Sequence, residues 1–221
     1  MIWIDEEKVF SEIKKRRPKV VILNAPEGIM MKVNELAFKI QELFSVQTII
    51  IADPCYGICD TVDDEAKRLG ADIAFHIGHN VAIERMGKNT VLIDAIDDVD
   101  FDEVLKASLP ILKKYEVIGL CTIAQHIHKI KKVESLLKEE GIRVIIGKGK
   151  GFMKDGQILG CDFHTAFEIR EEVNAFAFLG QSVFHAVGVA LATNKPTFML
   201  DPYYKEVLDV TPIASEVSKK A

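Results

Sequence analysis

The sequence has no apolar run that reaches the roughly 18 residues needed to cross a bilayer as a helix. Residues 1–7 also lack the basic and then apolar pattern of a secretory signal. Both absences argue against an exported or membrane-embedded protein. We therefore expect a cytoplasmic protein without a membrane partner.

An excess of basic charge is also missing. The chain has 28 basic and 33 acidic side chains, a formal net charge of −5 and a pI near 5.7. Proteins that bind duplex nucleic acid usually show a basic footprint. We therefore expect no direct nucleic-acid partner.

Cysteine is scarce, with four residues in a chain of 221. In a cytoplasmic chain of this size, such cysteines favour reduced thiols over a disulfide framework. Metal binding or catalysis is then the expected use of any cysteine that has a special role.

Short, β-branched-rich apolar runs alternate with segments of helical periodicity along the chain. Strand, helix and strand are predicted between residues 20 and 52, and again between residues 117 and 146. This alternation is typical of an α/β fold, here with short, mainly parallel sheets flanked by helices. The recurrence predicts small domains related by internal duplication. The expected domains are residues 1–100, residues 101–200, and a third repeat or tail at residues 201–221, with an acidic linker at residues 94–103.

Two cysteines occupy corresponding places in the predicted repeats. Cys59 follows the second strand of the first repeat, and Cys161, 102 residues later, follows the second strand of the second repeat. Ligands of open α/β sheets bind beyond the carboxyl ends of the strands, and two such repeats face to face would place both thiols in one crevice. Thiolates from different parts of a fold suit either zinc or an iron–sulfur cluster.

Histidines give a weaker signal. His76 and His79 are predicted in a glycine-containing loop with no carboxylate beside them, so we interpret them as ordinary loop histidines. Cys55 and Cys59 resemble half of a zinc site. The histidine pair comes after a different predicted strand, which leaves zinc as the weaker alternative.

Further polar residues follow predicted strands. Gln125, His126 and His128 come after the strand that ends near Leu120, where they either line the functional edge of the sheet or cap a helix. Carboxylates at strand ends could bind a cationic amine or serve as caps; they are Glu27, Asp53 and Asp60.

The loops together resemble the diphthamide synthase family, whose members carry out the first step of diphthamide formation on translation elongation factor 2. The matching stretches occur in the family's order and cover nearly the whole chain. They are Pro26-Glu27-Gly28, residues 53–60 with Tyr56-Gly57-x-Cys59-Asp60, Gln125-His126-x-His128, Gly156-Gln157-x-Leu159-Gly160-Cys161, and the segment from Phe178-Leu179-Gly180 through Phe184-His185 to Leu200-Asp201-Pro202-Tyr203.

The resemblance implies a homodimer of subunits with three similar α/β domains, each giving one cysteine to a 4Fe-4S cluster. Cys59 and Cys161 occupy the first two ligand positions, whereas Cys55 and Cys121 match none. Such a radical enzyme takes S-adenosylmethionine as co-substrate and an external electron donor. It transfers the 3-amino-3-carboxypropyl group to a histidine of the elongation factor. Candidate cofactor-binding residues are Pro26, Glu27, Tyr56, Gly57, Gln125, His126, His128, Gly160, His185 and Asp201.

No cysteine follows Cys161, and residues 181–185 read Gln-Ser-Val-Phe-His where the family has a glycine-rich Arg-Phe-His stretch. We expect a third cysteine-bearing repeat beyond Ala221. The alternatives are a non-catalytic partner subunit that holds a cluster, a truncated inactive paralogue, and a zinc or small-ligand binding α/β module.

Overall fold

The computed structural model describes residues 2–79 and 87–220. The chain divides into two compact units, Met1–Asp97 and Asp98–Ala221. Each unit is built around its own parallel sheet with helices packed on it. The predicted α/β class, with parallel sheets flanked by helices, is confirmed.

The first unit contains a four-stranded parallel sheet in the order β3-β2-β4-β5. Its helices end where the sequence signals an end, for instance at the left-handed Arg17 after the first helix. The elements are β1 (Ile2–Ile4), α1 (Glu6–Arg16), β2 (Val20–Asn24), α2 (Met30–Phe44), β3 (Gln47–Ile50), α3 (Asp63–Arg68), β4 (Ile73–Ile77), β5 (Thr90–Ile93) and β6 (Ala95–Asp97).

Both faces of this sheet are covered, as a parallel sheet requires. Alternate residues of β2 point to opposite sides. Val21 and Leu23 pack in the larger apolar cluster with Val33 of α2. Ile22 packs in the smaller cluster with Ala66 of α3.

The acidic stretch predicted as a linker is partly a strand. Residues Ala95–Asp97 form β6, which pairs antiparallel with β1 so that Trp3 lies opposite Ile96. Two three-residue strands at opposite ends of a unit carry too little periodicity to be recognised from sequence.

The second unit has a five-stranded sheet in the order β11-β10-β9-β7-β8, in which only β11 is antiparallel to its neighbour. The strand order β8-β7-β9-β10 matches β3-β2-β4-β5 of the first unit, as a duplication predicts. The elements are α4 (Asp102–Leu112), β7 (Val117–Thr122), α5 (Ile130–Glu139), β8 (Arg143–Ile145), α6 (His164–Glu168), β9 (Ala175–Leu179), α7 (Val183–Thr193), β10 (Thr197–Asp201), β11 (Glu206–Asp209) and α8 (Thr211–Lys220).

Residues 201–220 complete the second unit, which differs from the predicted tail or third repeat. Strand β11 pairs with β10, placing Leu200 opposite Val207. Ala214 of α8 belongs to the same apolar cluster as Val189 of α7. The segment reads as polar because β11 is a mostly exposed edge strand.

None of the helices within residues 2–79 and 87–220 combines the length and the apolar character needed to cross a membrane.

Candidate functional site

The carboxyl ends of β2, β3 and β4 lie at one edge of the first sheet, because the three strands are parallel. The loop after β2 contains Pro26 and Glu27, and Glu27 begins a short 3-10 turn. Its side chain is exposed. The loop after β3 carries Cys55 and Cys59, and the loop after β4 carries His79.

Cys59 lies in a turn that its neighbour Asp60 closes. The Asp60 carboxylate accepts hydrogen bonds from the backbone N–H groups of Tyr56 at 2.7 Å and Gly57 at 2.8 Å. The Asp60 backbone N–H donates to the Gly57 carbonyl at 3.1 Å, and Asn24 Nδ2 donates to the Asp60 carbonyl at 2.7 Å. The Cys59 thiol is free and exposed on this closed turn.

The second unit places Cys161 in a comparable turn. The Leu159 N–H donates to the Asp162 carbonyl at 2.8 Å, and the Asp162 carboxylate accepts from the His164 N–H at 2.8 Å. The Cys161 thiol is also free and exposed. In both units, therefore, an exposed cysteine follows the second strand of the parallel sheet and directly precedes an aspartate. The Asp60 carboxylate closes the Cys59 turn, whereas backbone bonds between Leu159 and Asp162 close the Cys161 turn.

His185 lies beside the Cys161 turn. A Cβ on Gly160 would make an ordinary contact with His185 Nε2 at 3.6 Å but would lie 2.7 Å from the Phe184 ring, so a larger residue would displace that ring. Ser182 Oγ is 2.7 Å from His185 Nδ1, and the imidazole stacks on Phe178 at a centroid distance of 6.3 Å. The hydroxyl and the aromatic ring together orient His185, with its Nε2 towards Gly160.

The remaining candidates of the second unit fall into two places. His126 is buried, edge-on to Phe101 with centroids 5.4 Å apart and 6.5 Å from the Tyr203 ring. Asp201 ends β10 and accepts hydrogen bonds from the backbone N–H groups of Tyr203 and Tyr204, so its carboxylate closes a turn.

Gln125 and His128 belong to the 3-10 turn Ala124–Lys129 that precedes α5. His128 Nε2 is 3.8 Å from an Asp98 carboxylate oxygen, and Lys129 also pairs with Asp98. His128 thus lies beside the exposed Asp98 carboxylate, whereas His126 is buried against Phe101.

The other two cysteines have a different environment. Cys121 lies inside β7 and is fully buried, which raises the pKa of its thiol far above the ordinary range. Cys55 is buried as well, and burial, assisted by the nearby Asp60 charge, raises its pKa to about 11. Both side chains are protonated thiols at neutral pH, whereas Cys59 and Cys161 face solvent.

Cys55 has two imidazole neighbours that the sequence did not predict. Its Sγ is 3.8 Å from His79 Nδ1, and His76 Nε2 is 3.1 Å from the same nitrogen. His76 is a buried residue of β4, since that strand runs to Ile77 and not to Phe75 as predicted. The interpretation of His76 as a loop residue is therefore wrong.

Burial, followed by the effect of His79, lowers the pKa of His76 to about 4, and burial also lowers the pKa of His79. Asn24, which sequence reasoning missed, lies between His76 and the backbone carbonyl of Asp60. Its Nδ2 is 3.1 Å from His76 Nδ1. The available signal was its position: Asn24 ends β2 directly opposite His76 of β4.

These features define an α/β protein whose repeated strand-end loops present exposed thiols. The model of the family described as diphthamide synthesis protein matches residues 25–221. The chain belongs to this family.

Several relatives carry the corresponding enzyme name. The chain is 34% identical to a 2-(3-amino-3-carboxypropyl)histidine synthase of Pyrococcus horikoshii, with 91% of this chain and 58% of that protein covered. It is 27% identical to the enzyme of the same name from Methanocaldococcus jannaschii, covering 91% of this chain and 56% of that protein. The chain thus spans less than two thirds of the length of these relatives.

A solved structure is also similar. The crystal structure of Dph2 from Pyrococcus horikoshii with a 4Fe-4S cluster superposes with a TM-score of 0.90 at 31% identity. The match covers the whole of this chain and 64% of the other.

Proposed function

We propose that this chain acts in the first step of diphthamide biosynthesis. The reaction transfers the 3-amino-3-carboxypropyl group of S-adenosylmethionine to a histidine of translation elongation factor 2. The observation that carries the proposal is the pair of hydrogen-bonded turns with exposed thiols, each followed by an aspartate, at corresponding strand ends, in a chain of this family.

The donor set fits two of the three cysteine positions that the resemblance to the family implies for a 4Fe-4S cluster. Such clusters are held by cysteine thiolates, which an incoming cluster must be able to reach. Cys59 and Cys161 are exposed free thiols on strand-end turns, whereas Cys55 and Cys121 are buried. We assign one ligand position each to Cys59 and Cys161. When bound and reduced, a 4Fe-4S cluster supplies the electron that cleaves the sulfonium.

The polar residues of the strand-end loops would bind and orient the co-substrate. Asp60 is committed to closing its own turn, which leaves the exposed carboxylates of Glu27 and Asp53 as partners for the ammonium group of S-adenosylmethionine. Gly160 keeps space beside Cys161, and Ser182 orients His185 towards it. His185 would therefore contact ligands next to the cluster.

We extend the proposal to the partners implied by the family. The protein would work in the cytoplasm as a homodimer, take electrons from an external donor, and dock the elongation factor so that the target imidazole reaches the cluster edge. Within the parts of the chain described here, exposed aromatic side chains near the thiols suit such contacts; they are Tyr56, Phe184 and Tyr204.

Product analysis of an anaerobic reaction tests this function. The protein is reconstituted with iron and sulfide, reduced with dithionite, and incubated with S-adenosylmethionine and the elongation factor. Transfer of the aminocarboxypropyl group leaves methylthioadenosine as the nucleoside and adds that group's mass to one histidine. Chromatography and peptide mass spectrometry detect the two products.

The control for this reaction is the double variant Cys59→Ser/Cys161→Ser, which should form neither product. Deoxyadenosine as the main nucleoside would contradict the proposed bond cleavage. Methylthioadenosine from the double variant at the parent rate would contradict the assignment of the two cysteines.

A further inference from the structure

Cys55, His76 and His79 form a compact cluster of metal-ligating side chains inside the first unit. The Cys55 Sγ lies 3.8 Å from His79 Nδ1, and His76 Nε2 lies 3.1 Å from His79 Nδ1. All three potential ligand atoms are within 4.8 Å of one another. They come from the β3 loop, from β4 and from the β4 loop, so the parallel sheet fixes their separation.

These spacings are those of ligands around one tetrahedral ion. With Zn–S near 2.3 Å and Zn–N near 2.0–2.1 Å, tetrahedral angles place two nitrogens about 3.3 Å apart and a sulfur and a nitrogen about 3.6 Å apart. The observed 3.1 Å and 3.8 Å each differ from these values by a few tenths of an ångström. The third pair, the Cys55 sulfur and the His76 nitrogen, lies within 4.8 Å, so small side-chain rotations would close the three ligands on one ion.

The surroundings of this cluster favour a bound cation, because two of the three side chains are buried and a carboxylate lies near the third. Cys55 and His76 are buried, with exposures of 4% and 0%. Burial lowers the pKa of both imidazoles, which favours the neutral ring that a metal binds. The neighbouring Asp60 carboxylate supplies negative potential that acts on His79.

Asn24 provides the outer contact that ligating histidines normally have. A metal-bound imidazole hydrogen-bonds through its other nitrogen, which fixes the ring. The Asn24 side-chain amide sits 3.1 Å from His76 Nδ1, and the amide can present either its nitrogen or its oxygen after rotation. Turning the oxygen inward lets His76 Nδ1–H donate to Asn24 and leaves Nε2 for the ion, at the cost of the bond from Asn24 Nδ2 to the Asp60 carbonyl.

We propose that Cys55, His76 and His79 bind one divalent transition-metal ion of the zinc class, with a water molecule at the fourth position. The ion replaces the Cys55 thiol proton, which is released to solvent on binding. Cysteine and histidine in this ratio suit zinc better than magnesium or calcium, which prefer oxygen ligands. The site uses a different thiol from the proposed cluster ligand of the same loop, because Cys55 is buried while Cys59 is exposed on the closed turn. It would stand whether or not the protein modifies the elongation factor.

Cobalt(II) is the probe for the experiment, because a thiolate ligand gives it an ultraviolet charge-transfer band and tetrahedral geometry gives it strong visible bands. The metal-free protein carries Cys59→Ser and Cys161→Ser, so the cluster thiols cannot contribute. We expect one cobalt ion per chain, with both sets of bands, and their loss on addition of one equivalent of zinc.

Single variants in that background identify the ligands. Cys55→Ser should abolish the charge-transfer band, and His79→Gln should weaken cobalt binding by at least about tenfold. Asn24→Ala should weaken it by about tenfold to hundredfold through the His76 ring. His164→Gln, which alters a half-buried histidine in the second unit, should bind cobalt like its parent.

Circular dichroism of every variant establishes that it is folded before the titration. His79 belongs to a loop, so His79→Gln keeps the test decisive should a change at the buried positions prevent folding. A folded parent without the bands would overturn the proposal. Bands that survive Cys55→Ser unchanged would overturn it as well.

Discussion

Acid should destabilise the first unit because His76 is buried without a charge. Its exposure is 0%, and its pKa falls from 6.5 to about 4 through burial and then through the neighbouring His79. Between these values the unfolded chain binds a proton that the folded chain excludes. The free energy of unfolding contributed by His76 is therefore intact above about pH 6.5 and decreases as the pH falls towards about 4.

The size of the effect follows from the width of this window. At about 1.4 kcal/mol per pKa unit, the shift corresponds to about 3 kcal/mol in full, of which about 2 kcal/mol is lost between about pH 7 and about pH 5. The lowered pKa of His79 acts in the same direction. A domain of ordinary stability would lose a substantial fraction of its free energy of unfolding over this interval.

Urea unfolding in the presence of a chelator measures the loss. Trp3 is the only tryptophan and lies in β1 of the first unit, so its fluorescence reports the unit that contains His76. The variant His76→Gln should lose about 2 kcal/mol less than the parent between the two pH values. The control His164→Gln lies in the other unit and should lose as much as the parent.

An equal acid loss in His76→Gln and the parent would refute the argument. Should that variant fail to fold, the ring protons of the parent settle the point by NMR. The His76 signals should not titrate above about pH 5, whereas an ordinary histidine titrates near 6.5. Titration of His76 near 6.5 would likewise refute the reasoning.

Further predictions concern the thiols and the packing of the second sheet. Brief alkylation of the metal-free native protein should label Cys59 and Cys161 and leave the buried Cys55 and Cys121 unmodified until denaturant is added. Mass spectrometry of peptides detects the labelled cysteines. Early labelling of Cys121 would contradict its burial. Gly119→Ala should lower the free energy of unfolding by about 1–3 kcal/mol in urea, because the new Cβ would lie 2.4 Å from a ring atom of the neighbouring strand; an unchanged midpoint would contradict this.

Much of the fold was accessible from the sequence because buried parallel strands are continuous apolar runs. The strand–helix–strand segments predicted between residues 20 and 52 and between residues 117 and 146 are β2-α2-β3 and β7-α5-β8. The strand-end placement of Cys59 and Cys161 follows from the same runs, since each cysteine comes after a recognisable strand and loop.

The proximity of Cys55, His76 and Asn24 could not be predicted, because it depends on the order of the strands in the sheet. Cys55 follows β3, and His76 lies within β4. In the sheet, β2 lies between these two strands. The β3 loop crosses the end of β2, where Asn24 contacts both the loop and His76. A linear sequence shows neither this order nor the residue of β2 that faces the gap.

The short edge strands could not be predicted for another reason. Strands β1, β6 and β11 have three or four residues each, and β11 is largely exposed. Strands β1 and β6 pair with each other across the whole first unit, and β11 pairs with the preceding β10 as an exposed edge strand. Neither case gives a local hydrophobic pattern, so an acidic linker and a polar tail were the natural interpretations.

The central claim is that Cys59 and Cys161, and not the buried cysteines, hold an iron–sulfur cluster. Iron and sulfide analysis after anaerobic reconstitution of four single variants tests it most directly. Cys59→Ala and Cys161→Ala should each lose most of the bound sulfide and iron, because thiolate ligation is the main attachment of such clusters. Cys55→Ala and Cys121→Ala should retain the sulfide content of the parent. Equal loss in all four variants, or full loading without Cys59 and Cys161, would contradict the account.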